Sequence, residues 1–171
     1  LGHYRKGYDT TKIAIHMFEK FEMHQSIGRV LITMGELAIY LREFEIAAEV
    51  LKRGREVAVK IHDTLARGKT TQITAILKNE QGKFEEAIAL FEEASEQFEL
   101  AEFKIAIQEA YFQIAQTCTL AGEYQKGEKT YIKVLRFSER SDDGSEKVSI
   151  LTWKLYNSFL NGDKDTQSLD E

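Results

Sequence analysis

The chain has 171 residues, of which 43% are apolar and 30% charged, and 23 Lys+Arg against 28 Asp+Glu leave a net charge of −5. This is enough apolar material for one compact domain or one short solenoid. No run of about 18 residues is free of charge, which excludes a transmembrane helix, and the acidic balance argues against nucleic acid, which selects for a strongly basic face.

Proline is absent, and so are the alternating runs of Val, Ile and Thr that mark strands. The chain is therefore expected to be all-α. In chain order, apolar periodicity and turn residues predict helices over 4–21, 24–41, 43–61, 64–80, 84–101, 103–121, 124–140 and 145–160. The pattern is clear from Phe84 onward. Phe84, Ala87, Ile88, Phe91, Ala94 and Phe98 recur at helical spacing, while Glu85, Glu86, Glu92, Glu93 and Glu96 take the other face. Residues 161–171 read as a polar, acidic, frayed tail. The opening Leu1-Gly2-His3-Tyr4-Arg5-Lys6-Gly7 has no apolar signal core and no initiator Met, so it reads as a cut inside a longer chain.

An internal repeat runs through these helices. Gly82, Gly122 and Gly162 lie 40 residues apart, with Gly2 in the same register. Two residues after each turn position stands an aromatic: Tyr4, Phe44, Phe84 and Tyr124. Three further on stands a small residue, Gly7, Ala47, Ala87 or Gly127, and then a large one, Leu51, Phe91 or Tyr131. A second series of small residues, Gly35, Ala75 and Ala115, precedes the turns. The turn glycine can end a helix in a left-handed cap, and the small residues let paired helices approach closely. Arg42 stands where one copy should have its turn glycine, so that turn is expected to be built differently or strained.

This spacing resembles the tetratricopeptide repeat, with Tyr111, Ile114, Ala115, Gly122, Tyr124 and Tyr131 as one full copy. The period is longer than the ~34 residues of the common form, and the closing Pro is missing. The resemblance is to the 40-residue variants of Pins-like, MalT-like and Rap-like proteins. It implies an α-solenoid, a right-handed superhelix of about seven or eight helices in antiparallel A/B pairs. On this reading 1–160 is one array: a B helix (4–21), pairs 24–61, 64–101 and 103–140, and a lone A helix (145–160). Both terminal helices are rich in apolar residues: Ile13, Ile15, Met17 and Phe18 at one end, Trp153, Leu155, Tyr156 and Phe159 at the other. The chain is expected to continue on both sides, or these ends to self-associate.

The resemblance also implies that the A helices line a concave groove. The groove positions carried onto this sequence are Arg29, Thr33, Glu36, Lys69, Gln72, Asn79, Glu109, Gln113, Gln116, Trp153 and Tyr156. They suit hydrogen bonding to an extended or helical peptide, with Trp153 and Tyr156 as the best anchors. The implied function is a protein- or peptide-binding module, a scaffold or adaptor segment of a larger repeat protein. The alternative is a peptide-sensing regulatory domain controlling an effector.

The motifs that look chemical are weak. Arg67-Gly68-Lys69-Thr70-Thr71 imitates the end of a phosphate loop, but Asp63 stands where the first Gly is required, and helix rather than strand precedes it. A helix start at His62-Asp63 explains the segment better. Asp163-Lys164-Asp165 opens like a calcium loop, yet Ser168 fills the position that needs Gly. Ser141-Asp142-Asp143-Gly144-Ser145 reads as a turn with Ser145 as helix cap. His3, His16, His24 and His62 show no i,i+4 pair for zinc. The single Cys118 excludes a disulfide framework and a cysteine-based zinc site, and is expected to be buried and inert. A reducing compartment, the cytoplasm, follows from the lone cysteine and the lack of a signal segment. No enzyme activity, cofactor, metal, membrane or nucleic-acid partner is expected. A basic stretch (Lys52, Arg53, Arg55, Lys60, Arg67, Lys69) precedes an acidic one (Glu85, Glu86, Glu92, Glu93, Glu96, Glu99, Glu102). These are expected to be solvated faces that partly compensate each other.

Overall fold

The computed structural model describes residues 2–138 and 144–162, and among them the chain forms eight α-helices and no strand. The helices are α1 (Gly2–Lys20), α2 (His24–Tyr40), α3 (Phe44–Lys60), α4 (Thr64–Glu80), α5 (Phe84–Leu100), α6 (Lys104–Ala121), α7 (Tyr124–Ser138) and α8 (Gly144–Leu160). α1 begins earlier than the pattern predicts. α3 begins one residue later, at Phe44, because Glu43 leaves the helical region (φ −90°, ψ 67°) to serve as the N-cap. The cap expected at Ser145 and the tail beyond Gly162 lie outside the residues whose side chains or backbone are described.

The turns explain why the helices have nearly equal length. A residue with positive φ recurs every twenty positions from Glu22 (53°) through Arg42 (62°), His62 (55°), Gly82 (72°) and Glu102 (54°) to Gly122 (79°), and another stands at Gly162 (78°). Around each, the hydrogen bonding repeats. The Arg42 N–H donates to the Ile39 carbonyl (2.9 Å) and the Glu43 N–H to the Ala38 carbonyl (2.9 Å). The same two bonds close at Gly82 (2.9 Å) and Lys83 (2.9 Å), and at Glu102 (3.0 Å) and Phe103 (3.0 Å). This is the Schellman arrangement, which satisfies the last carbonyls of one helix. The residue after the left-handed one then accepts the first bond of the next helix, as Glu43 does from the Ala47 N–H (2.9 Å).

The turn at Arg42 is thus built as at Gly82 rather than differently, and the other expected outcome, strain, holds: a non-glycine residue, Arg42, sits at φ 62°. Its side chain adds bonds that offset the left-handed backbone: Nη1 pairs with Glu80 at 2.8 Å, and the guanidinium lies 4.6 Å from the Phe44 ring centroid. Asp63 caps α4 directly, its Oδ1 accepting the Ala66 N–H at 2.8 Å.

Each helix packs against its neighbours in sequence, and α2 also touches α4 while α6 touches α8. The even-numbered helices therefore form one layer and the odd-numbered ones the other. Missing side chains set the approach. A Cβ on Gly35 would lie 2.5 Å from Leu51, and one on Gly68 would lie 2.5 Å from the Phe98 ring. The core is a row of clusters rather than one centre. Leu31, Leu51 and Leu77 fill the first part, Phe91 and Ile114 the next, then Phe98 and Ala110, and finally Tyr131, Val134 and Ile150.

The last cluster contains a polar clamp. Asn157, 1% exposed, accepts a hydrogen bond from Thr119 Oγ1 at 2.9 Å and donates to the Tyr124 carbonyl at 3.0 Å. The Tyr131 hydroxyl lies 3.1 Å from the same Thr119 oxygen. A Cβ on Gly127 would come within 2.8 Å of Asn157 Oδ1, so the small residue here makes room for an amide rather than for an apolar neighbour.

Candidate functional site: the face of the even-numbered helices

Helical spacing brings the groove positions to one side of α2, α4, α6 and α8, and the structure divides them into groups. Arg29 and Thr33 are exposed on α2, with Thr33 Oγ1 donating back to the Arg29 carbonyl at 3.4 Å. Neither joins a network with the other even helices among the described residues. Glu36, Lys69, Gln72, Glu109 and Gln113 do come together. Lys69 Nζ sits 3.2 Å from Glu109 and donates to Gln72 Oε1 at 3.0 Å. Gln72 Nε2 in turn donates to Gln113 Oε1 at 2.8 Å. This chain of bonds ties α4 to α6. Gln72 is fully buried by it (0% exposed), so it is a structural strut rather than a groove-lining contact.

Glu36 lies beside that chain but outside it. Its carboxylate is half-buried and has no hydrogen bond or ion pair among the described residues. Burial raises its pKa above the ordinary value; Lys69 pulls it down and Glu109 pushes it up. Asn79 is half-buried, and its Oδ1 is enclosed without a partner. Gln116 is half-buried. Trp153 packs on the Ala115–Tyr131–Val134–Ile150 cluster and meets Tyr156 edge-on, with centroids 5.9 Å apart. Tyr156 remains 47% exposed. Trp153 is thus half committed to the core, and Tyr156 is the open aromatic.

One feature of this face was missed by the sequence reading. A cavity of ≈ 300 Å³ opens between the C-terminal halves of α2 and α4, with Ile39, Ile73 and Ile76 as its apolar wall and Glu36, Tyr40, Arg42 and Glu80 around it. The signal was present. Ile73 and Ile76 occupy the repeat positions of Thr33 and Glu36, and an apolar residue in a polar register marks a local pocket.

The chemical-looking motifs take structural roles. Gly68 to Thr71 lie within α4; Thr70 is buried and its hydroxyl donates to the Ala66 and Arg67 carbonyls at 2.9 Å. No loop exists there to cradle a phosphate. Cys118 is buried, and burial pushes its thiol up to about 11, which keeps it protonated and unreactive at neutral pH. Among the described residues no cluster of three or more His, Cys, Asp or Glu is placed to hold a metal ion. The basic and acidic stretches meet at one pair, Arg55 with Glu93 (2.6 Å); other members pair elsewhere, Glu86 with Lys78 (2.6 Å), Glu92 with Lys126 (3.1 Å) and Arg53 with Glu19 on α1. All but Lys78 and Glu93 are exposed, and ion pairs at such a surface add little to stability.

No family model matches the sequence, and no curated protein matches it either. Solved structures do match the fold. BtubC (BKLC) from P. vanneervenii superposes with TM-score 0.81 at 12% identity, over 94% of this chain and 67% of that one. A Rap protein complexed with competence and sporulation factor gives TM-score 0.81 at 18% identity, over 95% of this chain. The chain spans less than half of that protein, 46%. A putative kinesin light chain with nearly identical TPR-like repeats, from Podosopora anserina, gives TM-score 0.65 at 11% identity, over 95% of this chain and 88% of that one. Helix pairs, turns and superpositions together define an α-solenoid of TPR-like repeats. Within that class the chain has the 40-residue period, with a left-handed residue at every helix–helix turn described. No described helix is long and apolar enough to cross a membrane.

Proposed function

We propose that this chain is a protein- or peptide-binding repeat module, a scaffold or adaptor segment whose partner docks on the face of α2, α4, α6 and α8. The observation that carries this reading is the cavity between α2 and α4, open on the same face as the exposed Arg29, Thr33 and Tyr156. Apolar hollows with a few convergent polar groups are the usual form of a recognition site. A second reading, a peptide sensor that tightens around its ligand and controls an effector, draws support from the similarity to a Rap protein solved with competence and sporulation factor. Both place the protein in the cytoplasm, without cofactor or catalytic step.

The test is an affinity capture with mass spectrometry that compares the native chain with a triple variant, Arg29→Glu, Lys69→Glu and Gln116→Arg. Recognition on this face requires that the partner be captured by the native chain and lost by the variant. Equal capture by both moves recognition to the odd-helix face. Small-angle scattering with and without the captured partner separates the two readings: contraction of the solenoid favours the sensor, and an unchanged profile favours the scaffold.

A further inference from the structure

We infer that the cavity between α2 and α4 receives a basic side chain, lysine or arginine, of the bound peptide, with the Glu36 carboxylate as its counter-ion. The inference rests on the binding-module reading and specifies what that module selects.

Three observations converge on the pocket. First, Glu36 lines the cavity and has no ion pair or hydrogen bond among the described residues. Lys69, the cation whose field acts on it, has its ammonium engaged by Glu109 at 3.2 Å and by Gln72 at 3.0 Å. A half-buried carboxylate without a partner is costly, and a cation delivered by a ligand relieves that cost. Second, Glu80 and Arg42 line the same cavity and pair with each other at 2.8 Å, so their charges offset and the lining keeps one net negative charge, that of Glu36. The unmet charge is therefore placed on one side, against the apolar wall. Third, the wall is aliphatic. Ile39 and Ile73 are buried, at 7% and 5% exposure, and Ile76 is half-buried beside them. A lysine or arginine carries a methylene stem that covers apolar surface while its charged end reaches a carboxylate. Tyr40, 60% exposed at the rim, is stacked on Tyr4 by one ring face (centroids 5.0 Å apart), so a cation can gain attraction only at its other face. An acidic or purely apolar side chain leaves Glu36 unpaired and in less water than before, which disfavours both.

The experiment selects peptides first and dissects charge second. A phage-displayed library of random dodecapeptides is panned on the native chain, and the leading peptide is synthesised with a fluorescent label. Its affinity is measured for the native chain and for Glu36→Gln, with the original peptide and with its basic residue replaced by norleucine. The expected result is enrichment of Lys or Arg next to an apolar residue. Glu36→Gln should weaken binding at least about tenfold, norleucine should weaken it as much, and the two changes together should cost no more than either alone. Glu36 has no bond to lose, so the variant should keep the native helical content and melt no lower than the native chain. Ile76→Asn, which polarises the wall, should also weaken binding. If no peptide is enriched, both this inference and the binding-module reading fall. Enrichment without a basic residue, or additive losses in the four-way comparison, overturns this inference alone and leaves the module standing.

Discussion

At the scale of single residues, the backbone of the turns decides most. Glu102 holds a φ of 54° and is exposed, and its side chain makes no hydrogen bond or ion pair among the described residues. A left-handed conformation costs an L-residue about 1–2 kcal/mol, and glycine avoids that cost while losing about 0.5–1 kcal/mol in unfolded-chain entropy. Glu102→Gly is therefore expected to stabilise the protein by up to about 1 kcal/mol, read as a rise of roughly 2–4 °C in Tm. Arg42→Gly should gain less, because it also removes the pair with Glu80 and the stacking over Phe44. Glu36 yields a pH prediction. Its folded pKa is raised, mainly by burial, so the folded state holds that proton more tightly than the unfolded chain. Ionised Glu36 thus lowers stability at neutral pH, and the loss is recovered as pH falls through the folded value and then the ordinary carboxylate range. Glu36→Gln should raise Tm at pH 7, and the difference between variant and native should shrink to nothing in acid.

At the scale of elements, helix pairs are set by what the small residues admit. Gly68 leaves space that the Phe98 ring occupies, at 2.5 Å from where a Cβ would stand. Gly68→Ala should push α4 off α5 and cost about 1–3 kcal/mol by overpacking, measurable by urea denaturation. The α8 junction relies on polarity instead. Asn157→Ala removes the acceptor for Thr119 and leaves buried hydrogen-bonding groups unmatched at the α6–α7–α8 contact. A cost of about 1–3 kcal/mol is expected, and hydrogen exchange should show it as faster opening of α8 with α2–α5 unchanged. The terminal helices also expose apolar residues, Ile13 and Met17 on α1 and Val148 and Phe159 on α8, at 64%, 55%, 63% and 77% exposure.

At the scale of the whole molecule, stability is a sum of neighbour contacts, because α1 reaches α2 directly and α8 reaches α7 and α6. Phe91, 1% exposed and central in the row of clusters, is the point whose loss should divide the array. Phe91→Ala should cost about 3–5 kcal/mol and broaden the unfolding transition as the two halves melt less cooperatively. The end helices should exchange first in both the native chain and the variant.

The sequence by itself determined the helices, the repeat and the register. Helical periodicity, the turn glycines and the small–large alternation are local or repeated forty residues on, so each copy restates the others. It also showed that Cys118 and the Lys69-Thr70-Thr71 segment are structural, because the partner residues their chemistry needs are missing. The left-handed turns at Glu22, His62 and Glu102 were not legible, since nothing in those side chains signals positive φ; the closing of two helices around them imposes it. Tertiary structure alone decided which groove residues remain available. Gln72 and Glu36 are both polar residues assigned to the same face, yet packing against α6 buries and bonds the first and leaves the second unpaired beside an apolar cavity. The difference arises from contacts about forty residues away in sequence, between Lys69 and Glu109 and between Gln72 and Gln113, and such pairings exist only once the helices have stacked.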